Sequence, residues 1–564
     1  MKILKQIRWV VCMLFALSCA RVTSPTGGPK DSIPPILIQS NPKHGEINFI
    51  GQQIDLTFNE ALILNTPKDQ IIITPAVGKD FEATLKKNKV TIRFDNPLTA
   101  NTTYSVNLRE AIQDITEKNP AENVHIAFST GEYIDSLSIA GSLYELLTSA
   151  PVKDGTVALY EKDTFNIFRH KPIFFTKTDN KGYFELSNLK PGNYFIYAIV
   201  DNNKNLVADS RSENYGFIAT PLTLTSNIKN TEISLVRLDA RNLKLTSARP
   251  TQTFFNIKFS KNIKSYSLST RDNQTVYASF GADQENIRVY NPGYITDSLL
   301  VHLQATDSMS HKIDTSLYVK FSSRELKPEP FQINNNGFTA SAINGTLTGS
   351  FEVNKPLAAL SFDSLFYQID STTIIPFTRE NVQYDTIHNL LTITRRIDKK
   401  LLLKPKEIAA RQSKPRSTET APRAIQNTKT REYTFYAGGG TFVSIDGDSS
   451  KRIEASAKPA TLESTGMIIV QIKTAEKNYI IELLAKDKVV ASRYSIPTTT
   501  FEDLQPGEYK IRLAIDKNGD REWSPGNFDK KEEPEPVVYY HDENRNQIIR
   551  LKANFELGPL LITY

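Results

Sequence analysis

Short runs of strand-forming residues, broken at close intervals by turn clusters, extend through most of this chain. Val, Ile, Thr, Tyr and Phe alternate with polar residues, and clusters such as NPKHG (41–45), DNKG (179–182) and NNNG (334–337) separate the runs. Few segments show a sustained helical period. Because closely spaced turns between short alternating strands are typical of β-sandwiches, we predict an all-β protein.

The length of the chain, 564 residues, is too great for one hydrophobic core. Domains usually contain about 100–150 residues, which suggests four or five of them here. The repeated strand and turn pattern therefore predicts several β-sandwiches in tandem.

The first eighteen residues have the composition of an export signal. Three basic residues, Lys2, Lys5 and Arg8, precede an apolar run over residues 9–17. This run is too short to span a bilayer but has the length of a secretory signal. We predict that residues 1–18 are a signal peptide and that the protein is exported.

The end of this signal, ALSC (16–19), resembles a bacterial lipobox, in which the chain is cut before the cysteine and that cysteine carries the lipid. Ala16 stands where lipoboxes favour leucine, so the alternative is an ordinary signal cut elsewhere. Apart from Cys12 inside the signal, Cys19 is the only cysteine, which leaves no disulfide in the mature chain. We predict lipidation at Cys19, with residues 19–33 as a flexible linker between the membrane and the first domain.

The formal net charge of +6 is concentrated in two places. Removal of the signal takes away three positive charges and leaves about +3. Residues 404–432 contain eight Lys or Arg, three Glu and few large apolar residues, so they are predicted to form a disordered insertion. This insertion would meet anionic headgroups or an acidic protein, or have no partner at all. Because the rest of the chain is near neutral, we predict no nucleic-acid partner.

Residues 34–131 resemble the SbsA-type bacterial Ig-like domain. The likeness is carried by the opening PPILIQSNPKHG (34–45), by IDLTFNEAL (54–62), by LTANTTYSVNLREAIQD (98–114) and by the closing FSTG (128–131). With the linker before it, this start is similar to envelope lipoproteins of Bacteroidota that place such a domain after the lipid anchor. The resemblance implies an exported structural module without catalytic residues.

The segment TDNKGYFELSNLKPGNY (178–194) resembles the transthyretin-like or carboxypeptidase-regulatory β-sandwich, and LKLTSARPTQTFFNIKFSKNI (243–263) echoes the opening of the first domain. We therefore expect tandem Ig-like and carboxypeptidase-regulatory-like sandwiches. The predicted domains are 34–131, 132–239, 240–323, 324–457 with the basic insertion, and 458–564.

One element occurs twice. LSNLKPGNYFIYAIVDNN (186–203) and FEDLQPGEYKIRLAIDKN (501–518) share a leucine, Pro-Gly, a tyrosine, an alternating strand and an aspartate at equal spacing. In the second copy the alternation predicts one buried and one polar face. We interpret the two stretches as the same strand followed by the same turn.

The turns after these strands carry oxygen-bearing side chains at alternate positions. Calcium prefers such ligands, and the candidates are Asp201, Asn203, Asn205 and Asp209 in the first copy and Asp516, Asn518 and Asp520 in the second. Neither copy has the glycine at the sixth position or the glutamate at the twelfth that an EF-hand requires. Asp and Asn also stabilise turns without an ion, so a plain turn and a weak calcium site both stay open.

Motifs for catalysis are absent from the sequence on inspection: a nucleophile elbow, a phosphate loop, a dinucleotide fingerprint and an HExxH helix. The histidines are scattered and the mature chain has no thiol beyond Cys19. Two distant carboxylates of a glycosidase would still be compatible with the sequence. We nevertheless expect a protein that is not an enzyme and that needs no cofactor apart from the calcium considered above.

A string of exported β modules on a lipid tether favours binding and presentation. The leading hypothesis is an outer-membrane lipoprotein that acts as a scaffold or accessory subunit of an envelope protein complex, on either the cell-surface or the periplasmic face. The alternative is a surface carbohydrate-binding or adhesive lipoprotein. That function would call for a cluster of exposed aromatic residues, and the mature chain has a single tryptophan, Trp523.

Overall fold

The computed structural model describes residues 31–77, 81–122, 124–251, 253–291, 293, 298–321, 329–402 and 432–564. The predicted signal peptide, Cys19 and nearly all of the basic insertion 404–432 lie outside these residues. Strands make up 50% of the chain and helices 2%, which confirms the predicted all-β class. Within the described ranges, no helix has the length and apolar character needed to cross a bilayer.

The chain divides into two compact units. The first comprises Met1–Leu143, Lys153–Val207 and Thr220–Glu232, and the second comprises Tyr144–Val152, Ala208–Ala219 and Ile233–Tyr564. The predicted domain 132–239 contains residues of both units, and the boundaries of the five predicted domains stay a prediction.

The first segment of the chain forms three small antiparallel sheets, in the orders β1-β2-β6-β5, β3-β8 and β4-β7-β9. Alternate residues of β2 face the core, so that Ile54 lies opposite Ile92 and Leu56 opposite Val90, all fully buried. The elements are β1 (Leu37–Asn41), β2 (Gln53–Phe58), β3 (Leu62–Leu64), α1 (Pro67–Gln70), β4 (Ile72–Thr74), β5 (Phe81–Lys86), β6 (Lys89–Phe94), β7 (Thr103–Asn107), β8 (Ile112–Asp114) and β9 (His125–Ser129).

The next segment contains the first copy of the repeated strand, β14. The strand β11 is buried along its whole length and pairs with β12 on one side and β14 on the other. The strands β13, β10 and β17 form a second sheet. The strands are β10 (Leu137–Glu145), β11 (Thr156–Tyr160), β12 (Phe174–Lys177), β13 (Tyr183–Leu189), β14 (Gly192–Ile199), β15 (Tyr215–Phe217), β16 (Leu222–Leu224) and β17 (Ile228–Leu235).

The third segment has two sheets, in the orders β18-β19-β22-β21 and β20-β23-β24. Their facing sides supply an aliphatic and aromatic core that includes Ile257, Phe259, Val289 and Leu303. The strands are β18 (Leu245–Thr251), β19 (Phe254–Phe259), β20 (Ser265–Ser269), β21 (Tyr277–Phe280), β22 (Asn286–Tyr290), β23 (Ser298–Thr306) and β24 (Lys312–Lys320).

The fourth segment has sheets in the orders β25-β26-β31-β30, β27-β33 and β29-β28-β32-β34. Its core is aromatic: the ring of Phe435 stacks on Phe338 at 4.5 Å and on Phe351 at 5.0 Å between ring centroids. The elements are β25 (Ile333–Ser341), β26 (Thr346–Val353), β27 (Leu357–Leu360), β28 (Leu365–Gln368), β29 (Ile374–Pro376), a 3₁₀-helix (Arg379–Asn381), β30 (Val382–Asp385), β31 (Leu390–Arg396), α2 (Lys399–Leu402), β32 (Thr434–Ala437), β33 (Phe442–Ser444) and β34 (Ile453–Ser456).

The C-terminal segment contains the second copy of the repeated strand, β39. Its sheets have the orders β38-β35-β42 and β37-β36-β39-β40, with β41 also paired to β39. The strands are β35 (Gly466–Lys473), β36 (Tyr479–Ala485), β37 (Lys488–Tyr494), β38 (Thr498–Leu504), β39 (Gly507–Ile515), β40 (Val537–Tyr539), β41 (Ile549–Leu551) and β42 (Glu556–Thr563).

The predicted alternation of β39 is confirmed. One face is buried and consists of Tyr509, Ile511, Leu513 and Ile515. On the other face Lys510 pairs with Asp487 at 2.9 Å and Arg512 pairs with Glu482. The strand β39 is therefore well packed, and its position fixes the start of the turn that follows it.

Candidate functional site

Asp516 directly follows β39 and is only 2% exposed. Its Oδ1 accepts a hydrogen bond from the backbone N–H of Gly519 (2.7 Å), and its Oδ2 accepts from the backbone N–H of Arg521 (3.0 Å) and from the hydroxyl of Tyr494 (2.7 Å). Burial raises the pKa of Asp516, but the hydrogen bonds outweigh burial and the pKa lies below its usual value. The carboxylate is therefore ionised and organises the turn around itself.

Asn518 and Asp520, the other two candidates in this copy, are exposed. Asn518 Oδ1 accepts from the backbone N–H of Asp520 (2.9 Å), and Asn518 Nδ2 donates to Asp520 Oδ2 (3.1 Å). Asp520 Oδ1 accepts from the backbone N–H of Glu522 (2.8 Å). Both side chains thus hydrogen-bond within the turn, as Asx-type turn residues do.

The first copy has an equivalent network in the turn after β14. Asp201 accepts from the backbone N–H groups of Asn205 (3.1 Å) and Leu206 (2.9 Å). Asn203 Oδ1 accepts from the N–H of Asn205 (3.0 Å), and Asn205 Oδ1 accepts from the N–H of Val207 (2.7 Å). Here too each candidate side chain bonds to the backbone two to five residues further on.

The two turns also share their backbone conformation. The third residue after the aspartate has a positive φ in both, 58° at Lys204 and 76° at Gly519, and so does the fifth, 63° at Leu206 and 68° at Arg521. Bulky residues rarely adopt this conformation. The hydrogen bonds to the aspartate hold the fifth residue in place in each copy, although an EF-hand uses glycine at that position.

Asp209, the last candidate of the first stretch, belongs to the second compact unit. Its Oδ1 accepts from the backbone N–H of Arg211 (3.0 Å) and its Oδ2 from the hydroxyl of Ser212 (3.3 Å), while its own N–H donates to Glu213 Oε2 (2.8 Å). Asp209 is thereby the first residue of a further local turn. The contacts of all these side chains are those of hydrogen-bonded turns. Calcium binding in either copy stays a prediction.

Glu535 is a residue of the second turn that the sequence analysis missed. It is 5% exposed, its Oε1 accepts from the N–H of Lys517 (2.7 Å), and its Oε2 accepts from the N–H of Ser524 (2.8 Å). Its carbonyl oxygen accepts from the indole N–H of Trp523 (2.9 Å). Glu535 therefore joins the two ends of the turn, and the only local signal was its place between two prolines in EPEP (533–536).

The loop between the turn and Glu535, residues 524–534, packs against other parts of the second unit, and we call it the C-terminal loop. Asn527 Nδ2 donates to the carbonyl oxygen of Met309 (2.6 Å). The ring of Phe528 meets Phe217 and Tyr215 edge-on, at 5.3 and 6.3 Å between centroids. Asn527 occupies the twelfth position, where an EF-hand has its glutamate, and here it makes a structural contact between segments instead.

A cluster of charged and polar side chains beside this loop makes a second set of contacts between segments. Lys261 and Asp307, both almost fully buried, form an ion pair, and Asp307 Oδ2 lies 2.8 Å from His311 Nδ1. His311 Nε2 in turn lies 3.2 Å from Asp529 Oδ2. The C-terminal loop is thus fixed to the third segment by polar as well as aromatic contacts.

Another acidic cluster lies in the first segment. Among the described residues, Asp31, Glu60 and Asp114 are the one group of three such side chains whose carboxylate oxygens lie within 4.8 Å of one another. Asp114 already accepts from the N–H of Glu117 (2.7 Å) and from the amide of Asn119 (2.7 Å). Burial, and then the charges of Asp114 and Asp31, raise the pKa of Glu60. Proximity alone does not identify this cluster as a cation site.

Comparison with known families identifies one part of the chain. Residues 31–130 match the family described as bacterial Ig-like domain (Big_5), which confirms an Ig-like module at the position predicted from the sequence. No curated protein matches the chain.

Solved structures with some likeness to this chain include pilins and a surface-layer protein. BcpA, the major pilin subunit of Bacillus cereus, is 11% identical, with 76% of this chain and 99% of that chain covered and a TM-score of 0.13. Surface layer protein SbsC, domains 1–6, is 10% identical (86% and 66% covered, TM-score 0.14). A streptococcal ancillary pilin is 12% identical (44% and 81% covered, TM-score 0.15). At TM-scores this low, these likenesses assign neither the arrangement nor the activity of those proteins to this chain.

Proposed function

We propose that this protein is a non-enzymatic outer-membrane lipoprotein, anchored through Cys19, that serves as a scaffold or accessory subunit of an envelope protein complex, such as one around an outer-membrane barrel. The observation that carries the proposal is the order of modules. A lipobox-like cysteine is followed twelve residues later by a bacterial Ig-like domain, and β-sheets continue to the C-terminus. The resemblance to envelope lipoproteins of Bacteroidota supports the same assignment.

The contacts of the C-terminal loop favour a scaffold. Asn527 and Phe528 reach residues of two other segments of the second unit, and the Asp529–His311 contact adds a third link. A scaffold needs its modules at fixed mutual positions, and contacts of this kind restrict the relative motion that domains joined by linkers otherwise have.

The carbohydrate-binding alternative gains no support from the tryptophan. Trp523 is half-buried and donates its indole N–H to the carbonyl oxygen of Glu535. Sugar-binding sites present aromatic faces to solvent, whereas this residue is part of the turn that fixes the C-terminal loop.

The anchor is tested with a pair of cysteine variants. Cys19→Ala should abolish incorporation of labelled fatty acid and move the protein from the detergent phase to the aqueous phase on phase separation. Cys12→Ala, in the middle of the predicted signal, is the matched control and should be labelled and partitioned like the parent protein. Lipid labelling that persists in Cys19→Ala would refute the anchor.

The scaffold role is tested by purification through a C-terminal tag from membranes dissolved in mild detergent. We expect at least one other envelope protein to co-purify in a fixed stoichiometric ratio and to survive a high-salt wash. Recovery of the tagged chain alone, or with polysaccharide instead of protein, would contradict the scaffold role and favour the alternative.

A further inference from the structure

Four stretches of the first segment meet at one end of its sheets. The backbone N–H of Ile36 donates to Asn59 Oδ1 (2.8 Å), and Asn119 Nδ2 donates to the carbonyl oxygen of Asp31 (3.0 Å). The hairpin between β5 and β6 joins them, because the N–H of Leu62 donates to the carbonyl oxygen of Lys87 (3.2 Å). We call this region, residues 31–38, 59–62, 86–89 and 115–119, the isoleucine end.

The isoleucine end exposes aliphatic side chains that proteins usually bury. Ile33 is 65% exposed, Ile36 59%, Ile38 66% and Ile115 56%. Single exposed apolar residues need no explanation, but several at one end of a small domain are typical of a surface that contacts a membrane or another protein.

The outermost charges around these isoleucines are mainly positive. Lys86, Lys87 and Lys118 are exposed and, among the described residues, form no ion pair with another side chain. Among the acidic groups at this end, Glu117 is exposed, whereas Asp31 and Glu60 are half-buried and Asp114 is fully buried. Aliphatic side chains flanked by lysines are the combination found where proteins lie on lipid headgroups.

The chain that enters here leads to the predicted lipid-bearing cysteine. Cys19 precedes Asp31 by twelve residues, and a fully extended chain spans at most about 3.6 Å per residue. The isoleucine end therefore stays within about 43 Å of the bilayer whenever Cys19 is lipidated. No other part of the described chain is held as closely by the anchor.

We propose that the isoleucine end is a membrane-docking surface, with Ile33, Ile36 and Ile115 inserted at the headgroup level and the lysines against anionic headgroups. This proposal rests on the proposed function, because the anchor supplies the nearby bilayer. Docking would orient the first segment on the membrane and so set the direction in which the remaining modules project.

The test uses the mature chain without its lipid, residues 20–564, so that any membrane binding comes from the protein surface. Sedimentation with vesicles of phosphatidylethanolamine and phosphatidylglycerol should show binding that weakens with salt, and vesicles of phosphatidylcholine alone should bind less. The triple variant Ile33→Asn, Ile36→Asn, Ile115→Asn should lower the partition coefficient about tenfold or more. Lys86→Gln with Lys87→Gln should lower it by about fivefold per lysine.

The matched control is Ile50→Asn. Ile50 is 95% exposed but precedes the start of β2, whereas the isoleucine end adjoins the last residue of that strand. Its partition coefficient should stay that of the parent. No binding by the parent chain at low salt, or an equal loss in Ile50→Asn and in the triple variant, would overturn the proposal. A parent chain that dimerises in sedimentation velocity, and a triple variant that does not, would assign the surface to a second copy and also overturn it.

Failure of this proposal is distinguishable from failure of the proposed function. The vesicle assay uses no lipid on the protein, and the Cys19 labelling assay uses no isoleucine variant. Vesicle binding without labelling at Cys19 would remove the anchor and keep the docking surface. Labelling without vesicle binding would keep the anchor and remove the surface.

Discussion

The turn after β14 and the turn after β39 share a backbone conformation but have different surroundings. In both, an aspartate at the strand end accepts from the N–H five residues further on, Leu206 in the first copy and Arg521 in the second. Asp201 is half-buried, whereas Asp516 is almost fully buried and accepts a further hydrogen bond from Tyr494. The local spacing of the aspartate and the residues after it therefore determines the conformation of the turn. Residues distant in sequence, such as Tyr494, determine how deeply the turn is buried.

The two turns also differ in their contacts with other parts of the chain. Lys204 of the first turn forms an ion pair with Asp69 (2.8 Å), and both side chains are partly exposed, an arrangement that usually contributes little stability. The second turn is closed by buried Glu535 and continues into the loop that contacts Met309 and Phe217. The second turn is therefore a structural element of the second unit, whereas the first has the simpler arrangement.

The largest difference between the copies is expected for removal of the aspartate. Asp516→Ala leaves three donors without their acceptor in a buried site and should reduce local stability by about 3 kcal/mol. Asp201→Ala, with its donors nearer to solvent, should cost about 1 kcal/mol. Hydrogen exchange of peptides spanning each turn measures both effects. Equal loss of protection in the two variants would show that depth of burial does not distinguish the turns.

A smaller effect is expected from the residue that closes the second turn. Glu535→Gln removes the charge and leaves one amide oxygen for the two N–H groups of Lys517 and Ser524, so that the new NH2 group faces one of these donors. This change should cost about 2 kcal/mol. Urea unfolding followed by Trp523 fluorescence reports on this loop, because Trp523 is the only tryptophan after the predicted signal. The exposed neighbour provides the control, since Glu532→Gln should leave the midpoint unchanged. An unchanged midpoint for Glu535→Gln would show that its charge does not stabilise the turn.

The response of the second turn to acid should be milder. The folded-state pKa of Asp516 lies below its unfolded value of about 3.9. Its contribution to stability is therefore present above that unfolded value and is lost as the pH falls through the lower folded-state pKa. Acid titration of Trp523 fluorescence should show this transition in the parent chain and lose it in Asp516→Asn. Asp201→Asn should keep it, and a transition that survives in Asp516→Asn would assign it to another group.

The sequence was sufficient to predict the class of fold, the Ig-like module and the faces of β39, because each depends on short-range alternation or a local motif. The long-range partners of the second turn could not be predicted from the sequence. Tyr494 comes from β37, which is separated from β39 by β36 in the sheet, and Glu535 returns from the far end of a loop. Contacts of this kind depend on tertiary packing, and neither residue lies within the twelve-residue loop in which calcium ligands are sought.

The smallest effect that we expect is that of calcium on the second turn. An ion would compete for the oxygens of Asp516 with the donors of Gly519, Arg521 and Tyr494, and for Asp520 Oδ1 with the N–H group of Glu522. Trp523 lies three residues after Asp520 and would respond to such a rearrangement. We therefore expect its emission to stay flat in chelator-treated protein up to millimolar calcium, the weak end of the range for extracellular modules. A saturable shift that both Asp516→Ala and Asp520→Ala abolish would establish an ion site in the second copy. The second turn would then be a ligand site as well as a structural element, although it is the more deeply buried of the two.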